Sequence, residues 1–153
     1  MLMADLVVTN QSVPKCATAA PVYMRSIALA IAWLSQLPNV AIYVDAAHDG
    51  WLGWPGNLGP TADTLSQILT MAKAIYPGAW VRGVGTNVSN YNGLGNQPQQ
   101  GFDELAYVQN LGPLLTAAGF PAHFIVDQGR SGQQNYTRDG SDWCNNKVGS
   151  PVQ

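Results

Sequence analysis

The sequence predicts an α/β fold built on an open, parallel, three-stranded sheet. Three observations carry that expectation: β-branched apolar runs near 39–45, 79–85 and 122–127, helical periodicity before and between them, and Gly/Pro punctuation at most junctions. Strands that alternate with crossover helices pair in parallel with the helices packed outside, and three strands are too few to close a barrel.

Each element follows from its residues. Beyond Thr18, the residues Tyr23, Ile27, Ala30, Ile31 and Leu34 recur at helical spacing and predict an amphipathic helix ending near Pro38, with Pro21 tolerable only in its first turn. Asn39 to Asp45 reads as a buried strand that finishes on a carboxylate. A Gly/Trp/Pro-rich loop runs to about Pro60. Leu65, Ile68, Leu69, Ala72 and Ile75 then form a second apolar stripe, closed by Pro77-Gly78. The pattern repeats with a strand from Ala79 to Gly85, a polar loop through Gln100, a helix from about Phe102 to Ala118 capped by Gly119, and a strand from Ala122 to Asp127. In such sheets function gathers beyond the strands' C-terminal ends, which here are the segments 46–60, 86–100 and 128–145.

Charge narrows the function. Only 16 of 153 side chains are charged, with a net charge of -2, so attraction to a nucleic-acid backbone is not expected. Polarity comes instead from 11 Asn and 11 Gln. Such a surface suits a neutral, hydroxyl-rich partner, or simply a secreted protein that avoids charge. No apolar run approaches the roughly 18 residues that span a bilayer, and the first residues lack an export signal. Sequons at Asn10, Asn87 and Asn135 permit an extracellular location. With two histidines, His48 and His123, and no C-x-x-C around Cys16 or Cys144, neither a metal nor another cofactor is expected.

The chemistry concentrates in the first of those segments. Trp51 and Trp54 sit among glycines just after a strand, where each indole could stack on the C–H face of a sugar ring or brace the loop against a helix. Asp45 and Asp127 each end a strand, with His48 and Arg130 nearby in sequence. Paired across a sugar they would suit glycoside hydrolysis, with a separation of roughly 6.5 to 9.5 Å for inversion; alternatively each caps a loop or pairs with Arg130. Gly129-Arg-Ser-Gly132 is not a nucleophile elbow, and Gly50, Gly53 and Gly56 do not form a dinucleotide loop.

Asp45-Ala-Ala-His-Asp-Gly-Trp-Leu-Gly-Trp-Pro55 resembles the D-A-G-H-A-G-W-L-G-W-P segment of glycoside hydrolase family six, the cellobiohydrolase II type. Pro14-Lys-Cys16, Thr86-Asn-Val-Ser-Asn-Tyr-Asn92, Asp127-Gln-Gly-Arg-Ser-Gly132 and Asp142-Trp-Cys-Asn145 are similar to that family's stretches in the same order, so the resemblance covers about Leu6 to Asn146. It implies the central portion of a distorted parallel β/α barrel, about three strand-helix units of one partial catalytic domain with no separate binding module. It also implies a secreted, monomeric enzyme that cleaves β-1,4-glucan by inversion.

The family's general acid stands in a V-x-Y-x-x-P-x-R-D-C motif that this sequence does not contain, and its proposed base in a C-D-G motif expected beyond Gln153. By the resemblance Asp45 is a supporting carboxylate, Trp51, Trp54 and Trp143 are sugar-stacking positions, His48 and Asn87 are polar contacts, and Asp127 and Arg130 shape the cleft. The isolated chain is therefore expected not to turn over, the alternative being a non-catalytic glucan-binding remnant that uses Trp51 and Trp54. Ala47 and Asp49 replace the Gly and Ala of the common loop, and Gly140-Ser141 replaces a Trp-Gly, which loosens the loop presenting Trp143. Ala47 is tolerable only at negative φ. The family's disulfide partners of Cys16 and Cys144 fall outside the sequence, so both are expected to be free.

Overall fold

The structure, a computed structural model, describes residues 5–95 and 102–130. A π-helical turn at Asp5–Thr9 leads into helix α1 (Pro14–Leu34), strand β1 (Tyr43–Asp45), the short helix α2 (Asp49–Leu52), helix α3 (Pro55–Ile75), strand β2 (Gly83–Thr86), helix α4 (Glu104–Ala117) and strand β3 (His123–Val126). The strands pair in parallel in the order β1-β2-β3, with Tyr43, Gly83 and His123 in register. The expected α/β class and parallel sheet are thus present, and the sheet is open.

The central strand dictates the packing. All four residues of β2 are buried, and at Gly83 an added side chain would run into the β3 backbone at His123. Val44 and Val84 meet Leu65, Ile68 and Leu69 of α3 and Leu111 and Leu115 of α4 in one apolar cluster. Each strand pairs over a shorter span than its apolar run, because ladder hydrogen bonds require a neighbour at the right register and hydrophobicity alone does not supply one.

Three expectations need correction. First, α1 begins at Pro14, so Pro21 lies in its interior rather than its first turn. Its buried residues are the small Ala20, Ala28 and Ala32 with Ile31, while Tyr23 and Leu34 of the expected stripe are exposed. Small side chains let α1 lie close to α3, its main contact. Ile27, Ala30, Ile31 and Leu34 instead line a groove of about 230 Å³ along β1.

Second, the segment expected to be a loop to Pro60 is mostly helix, since α2 and the start of α3 occupy it. Pro55 is compatible because a first-turn residue needs no N–H partner. Pro60 sits inside α3, with Thr61 Oγ1 donating to Asn57 O at 2.7 Å beside it. Third, α1 is 21 residues long and holds an 18-residue window of mean hydropathy 1.3, which by length and composition alone is apolar enough to cross a membrane. An uninterrupted run fails to register that property because Lys15 and Arg25 break it. Its Ala28-Ile31-Ala32 face is nevertheless packed in the core.

Candidate functional site

The three strands end at one edge, and backbone bonds carry their pairing beyond it. Ala46 N donates to Gly85 O at 2.8 Å, Asn87 N to Ala47 O at 2.8 Å, and Asp127 N to Thr86 O at 3.0 Å. The loops at 46–54, 87–95 and 127–130 are thereby joined. Ala47, Asn87 and Ser89, the non-glycine residues at positive φ among the described residues, all lie in these loops. Ala47 adopts φ 52°, against the expected negative value. The turn out of β1 fixes it from both sides: its N–H donates to Asp45 Oδ1 at 2.7 Å and its carbonyl accepts from Asn87.

The aromatic pair is both braced and open. His48 lies against Trp51 with ring centroids 4.5 Å apart and a 39° tilt. Trp54 donates through Nε1 to Gly50 O at 2.9 Å and meets Phe102 edge-on at 6.2 Å. Asn57 Nδ2 donates to Trp51 O at 2.8 Å, tying the first turn of α3 to α2. Despite these braces, Trp51 remains 37% and Trp54 57% exposed. An indole held at its edge with part of its surface uncovered is the state in which stacking costs little further ordering.

The two strand-end carboxylates cap loops. Asp45 Oδ1 accepts from Ala47 N, as above, and Asp127 accepts from Ser89 N through Oδ2 at 2.9 Å and from Gly129 N through Oδ1 at 2.8 Å. Arg130 lies over the Tyr91 ring at 5.9 Å. Asn87 is buried, and its amide is used by the loop itself. Nδ2 donates to Asn92 O and Asp127 O, while Oδ1 accepts from Asn90 Nδ2 and Asn92 N. That burial also closes the Asn87 sequon to modification in the folded chain. Trp143 and Cys144 lie outside the described residues, and Cys16 is a half-buried free thiol. Among the described residues no three His, Cys, Asp or Glu side chains group as a metal site.

Sequence reasoning missed a cluster beneath the aromatic loop. Glu104, at the start of α4, is fully buried; its Oε1 accepts from Asp49 N at 2.8 Å and from Asn92 Nδ2 at 2.7 Å. Asp49 Oδ2 accepts from Asp103 N at 2.8 Å, and Asp103 Oδ1 caps α4 by accepting from Leu105 N. Tyr107 donates its hydroxyl proton to Ala46 O at 2.8 Å. Burial pushes the carboxyl groups of both Asp49 and Glu104 above their ordinary values, with backbone hydrogen bonds working against it. Burial likewise raises the Tyr107 phenol, followed by the Glu104, Asp49 and Asp45 charges, so it remains a donor. A signal existed: the sequence has one glutamate, and it heads the spacing 104, 107, 111, 115 that α4 buries.

Comparison with known proteins gives this edge a context. Over 146 residues, 90% of its length, the chain is 49% identical to the 1,4-beta-D-glucan cellobiohydrolase CEL6A of Podospora anserina, of which it covers 29%. Its structure superposes on CcCel6C, a glycoside hydrolase family 6 enzyme from Coprinopsis cinerea, with a TM-score of 0.82 and 47% identity, covering 92% of this chain and 40% of that one. It also superposes on cellobiohydrolase II of Humicola insolens, solved with glucose and cellotetraose, with a TM-score of 0.75 and 42% identity over 92% of this chain and 39% of that one. The chain thus spans about a third of the length of the curated relatives it matches. The family model for glycosyl hydrolases family 6 matches residues 3–150, nearly the whole sequence, and the chain belongs to that family.

Proposed function

We propose that this chain forms one wall of a β-1,4-glucan cleft, in a secreted, monomeric family 6 enzyme that hydrolyses cellulose and cello-oligosaccharides with inversion. The observation that carries the reading is the exposed Trp51-Trp54 pair, braced at its edges and set where the three strands end. Trp51 and Trp54 stack on glucose rings, and Trp143 adds a third platform. His48 contacts hydroxyl groups beside Trp51. Asn87 acts one step back, holding the loop that presents Asn92 and Tyr91. Asp127 and Arg130 shape the far side of the cleft, and Asp45 is a supporting carboxylate at the end of β1. The relatives' names and the cellotetraose in the Humicola enzyme support the substrate class. An extracellular site of action follows from a polymer too large to enter a cell.

In the complete reaction water attacks the anomeric carbon while an acid protonates the leaving oxygen. The acid belongs to a part of the enzyme outside this sequence, and the chain alone is a partial catalytic domain that does not turn over. Asp127, with both oxygens accepting backbone N–H groups, is suited to holding a loop rather than to taking a proton from water. That favours, for this chain by itself, glucan binding without cleavage. Calorimetry with cellotetraose tests the reading: the chain binds, Trp51→Ala abolishes the heat, and no glucose or cellobiose is released. Undiminished binding in Trp51→Ala, or hydrolysis at a rate typical of a whole enzyme, would contradict it.

A further inference from the structure

We infer that Glu104, acting as a neutral acid, is a positioning residue that fixes the aromatic loop against the 87–95 loop, so that the Trp51 face is set by protonation beneath it. One carboxyl oxygen joins two loops and a helix: Oε1 takes the Asp49 N–H at the start of α2 and the Asn92 amide of the neighbouring loop. The same Asn92 Nδ2 lies 3.5 Å from His48 Nδ1, and the His48 ring packs on Trp51. Moving Glu104 therefore moves the ring that backs the stacking platform.

The other oxygen bears on the protonation state. Glu104 Oε2 and Thr86 Oγ1 are both buried without a hydrogen-bond partner, and the Thr86 hydroxyl acts on the Glu104 carboxyl in favour of ionisation, against the larger effect of burial. An ionised carboxylate there would have one oxygen facing no solvent and no cation, at a cost that favours the neutral form. With the proton on Oε2, the acid donates toward Thr86 Oγ1 while Oε1 keeps both of its N–H donors. The other ionisable groups facing the cluster are Asp49 of α2, Asp103 ahead of α4, Tyr107 of α4, Asp45 of β1 and His48. The charge acting on Glu104 is that of Asp49, which also opposes ionisation.

The inference rests on the reading that Trp51 binds glucan, and two readouts keep the tests separate. Near-ultraviolet circular dichroism of the full chain between pH 4 and pH 8 reports the aromatic loop without any ligand. Cellotetraose calorimetry over the same range reports binding. Glu104→Gln mimics the neutral acid, so the step that the wild type shows above about pH 4.5, the ordinary glutamate value, is reduced to the part due to Asp49. The ratio of wild-type to Glu104→Gln Kd rises from about one at pH 4 to about fivefold or more at pH 8. Asp49→Ala moves the wild-type step to lower pH, which a merely structural role would not do. A Kd ratio constant across the range, or a dichroism step unchanged in Glu104→Gln, overturns the inference. If the wild type binds no cellotetraose at any pH the glucan reading fails, and the dichroism step alone decides the positioning role.

Discussion

Ala46 and Ala47 provide an internal comparison of backbone strain. Both methyl groups are buried, at 0% and 4% exposure, in the same loop, but only Ala47 has a positive φ, at 52°. Replacing either with glycine removes one buried methyl, worth about 0.8 kcal/mol, and adds about 0.7 kcal/mol of unfolded-state freedom. Ala46→Gly should therefore destabilise the chain by about 1.5 kcal/mol. At Ala47 the same loss is offset by release of the left-handed conformation, which costs an L-residue about 1.5 kcal/mol. Ala47→Gly should be close to neutral. Urea unfolding of the two variants, at constant m, measures the difference directly, and about 1.5 kcal/mol is expected. Equal destabilisation by both substitutions would refute the claim that the turn out of β1 holds Ala47 under strain.

Further outcomes follow from the packing and the buried acids. Gly56 lies in the first turn of α3, where an added Cβ meets nothing within 4 Å beyond its chain neighbours, so Gly56→Ala should stabilise by up to about 1 kcal/mol in thermal or chemical unfolding. Gly83→Ala, whose side chain would strike the β3 backbone, should cost about 3 kcal/mol or more and show as loss of the cooperative transition. Asp49 and Glu104 bind protons more tightly folded than unfolded, so the unfolded chain ionises first as pH rises. Stability should then be greatest below the ordinary values of 3.8 and 4.5 and fall as pH rises from there toward the raised folded values, with less fall in Glu104→Gln measured by unfolding across pH.

The helices, strands and parallel order were legible because apolar periodicity reports which side of an element meets a core. The rotation of α1 was not, because periodicity does not say which of two apolar faces finds a partner. The face of Ile27, Ala30, Ile31 and Leu34 lies along β1, an edge strand among the described residues, while the alanine face meets α3. The helical segment at 49–60 was hidden by glycine and proline, which mark turns on average yet fit a first turn when the preceding residue is extended, as Trp54 is. The aromatic loop stood out because two indoles among glycines follow a strand end, a pattern open both to sugar stacking and to bracing the loop. Glu104 escaped notice because its role depends on residues far apart in sequence, Asp49 and Asn92, that meet only after the loops close.

On the proposed function the strand-end edge, and not another surface, receives a glucan chain. Amide hydrogen exchange of the wild-type chain with and without saturating cellotetraose locates the contact directly. Exchange should slow in 46–54 and 87–92, with the groove between α1 and β1 unchanged. Protection confined to that groove, or no protection at all when binding is measured by calorimetry, would contradict it.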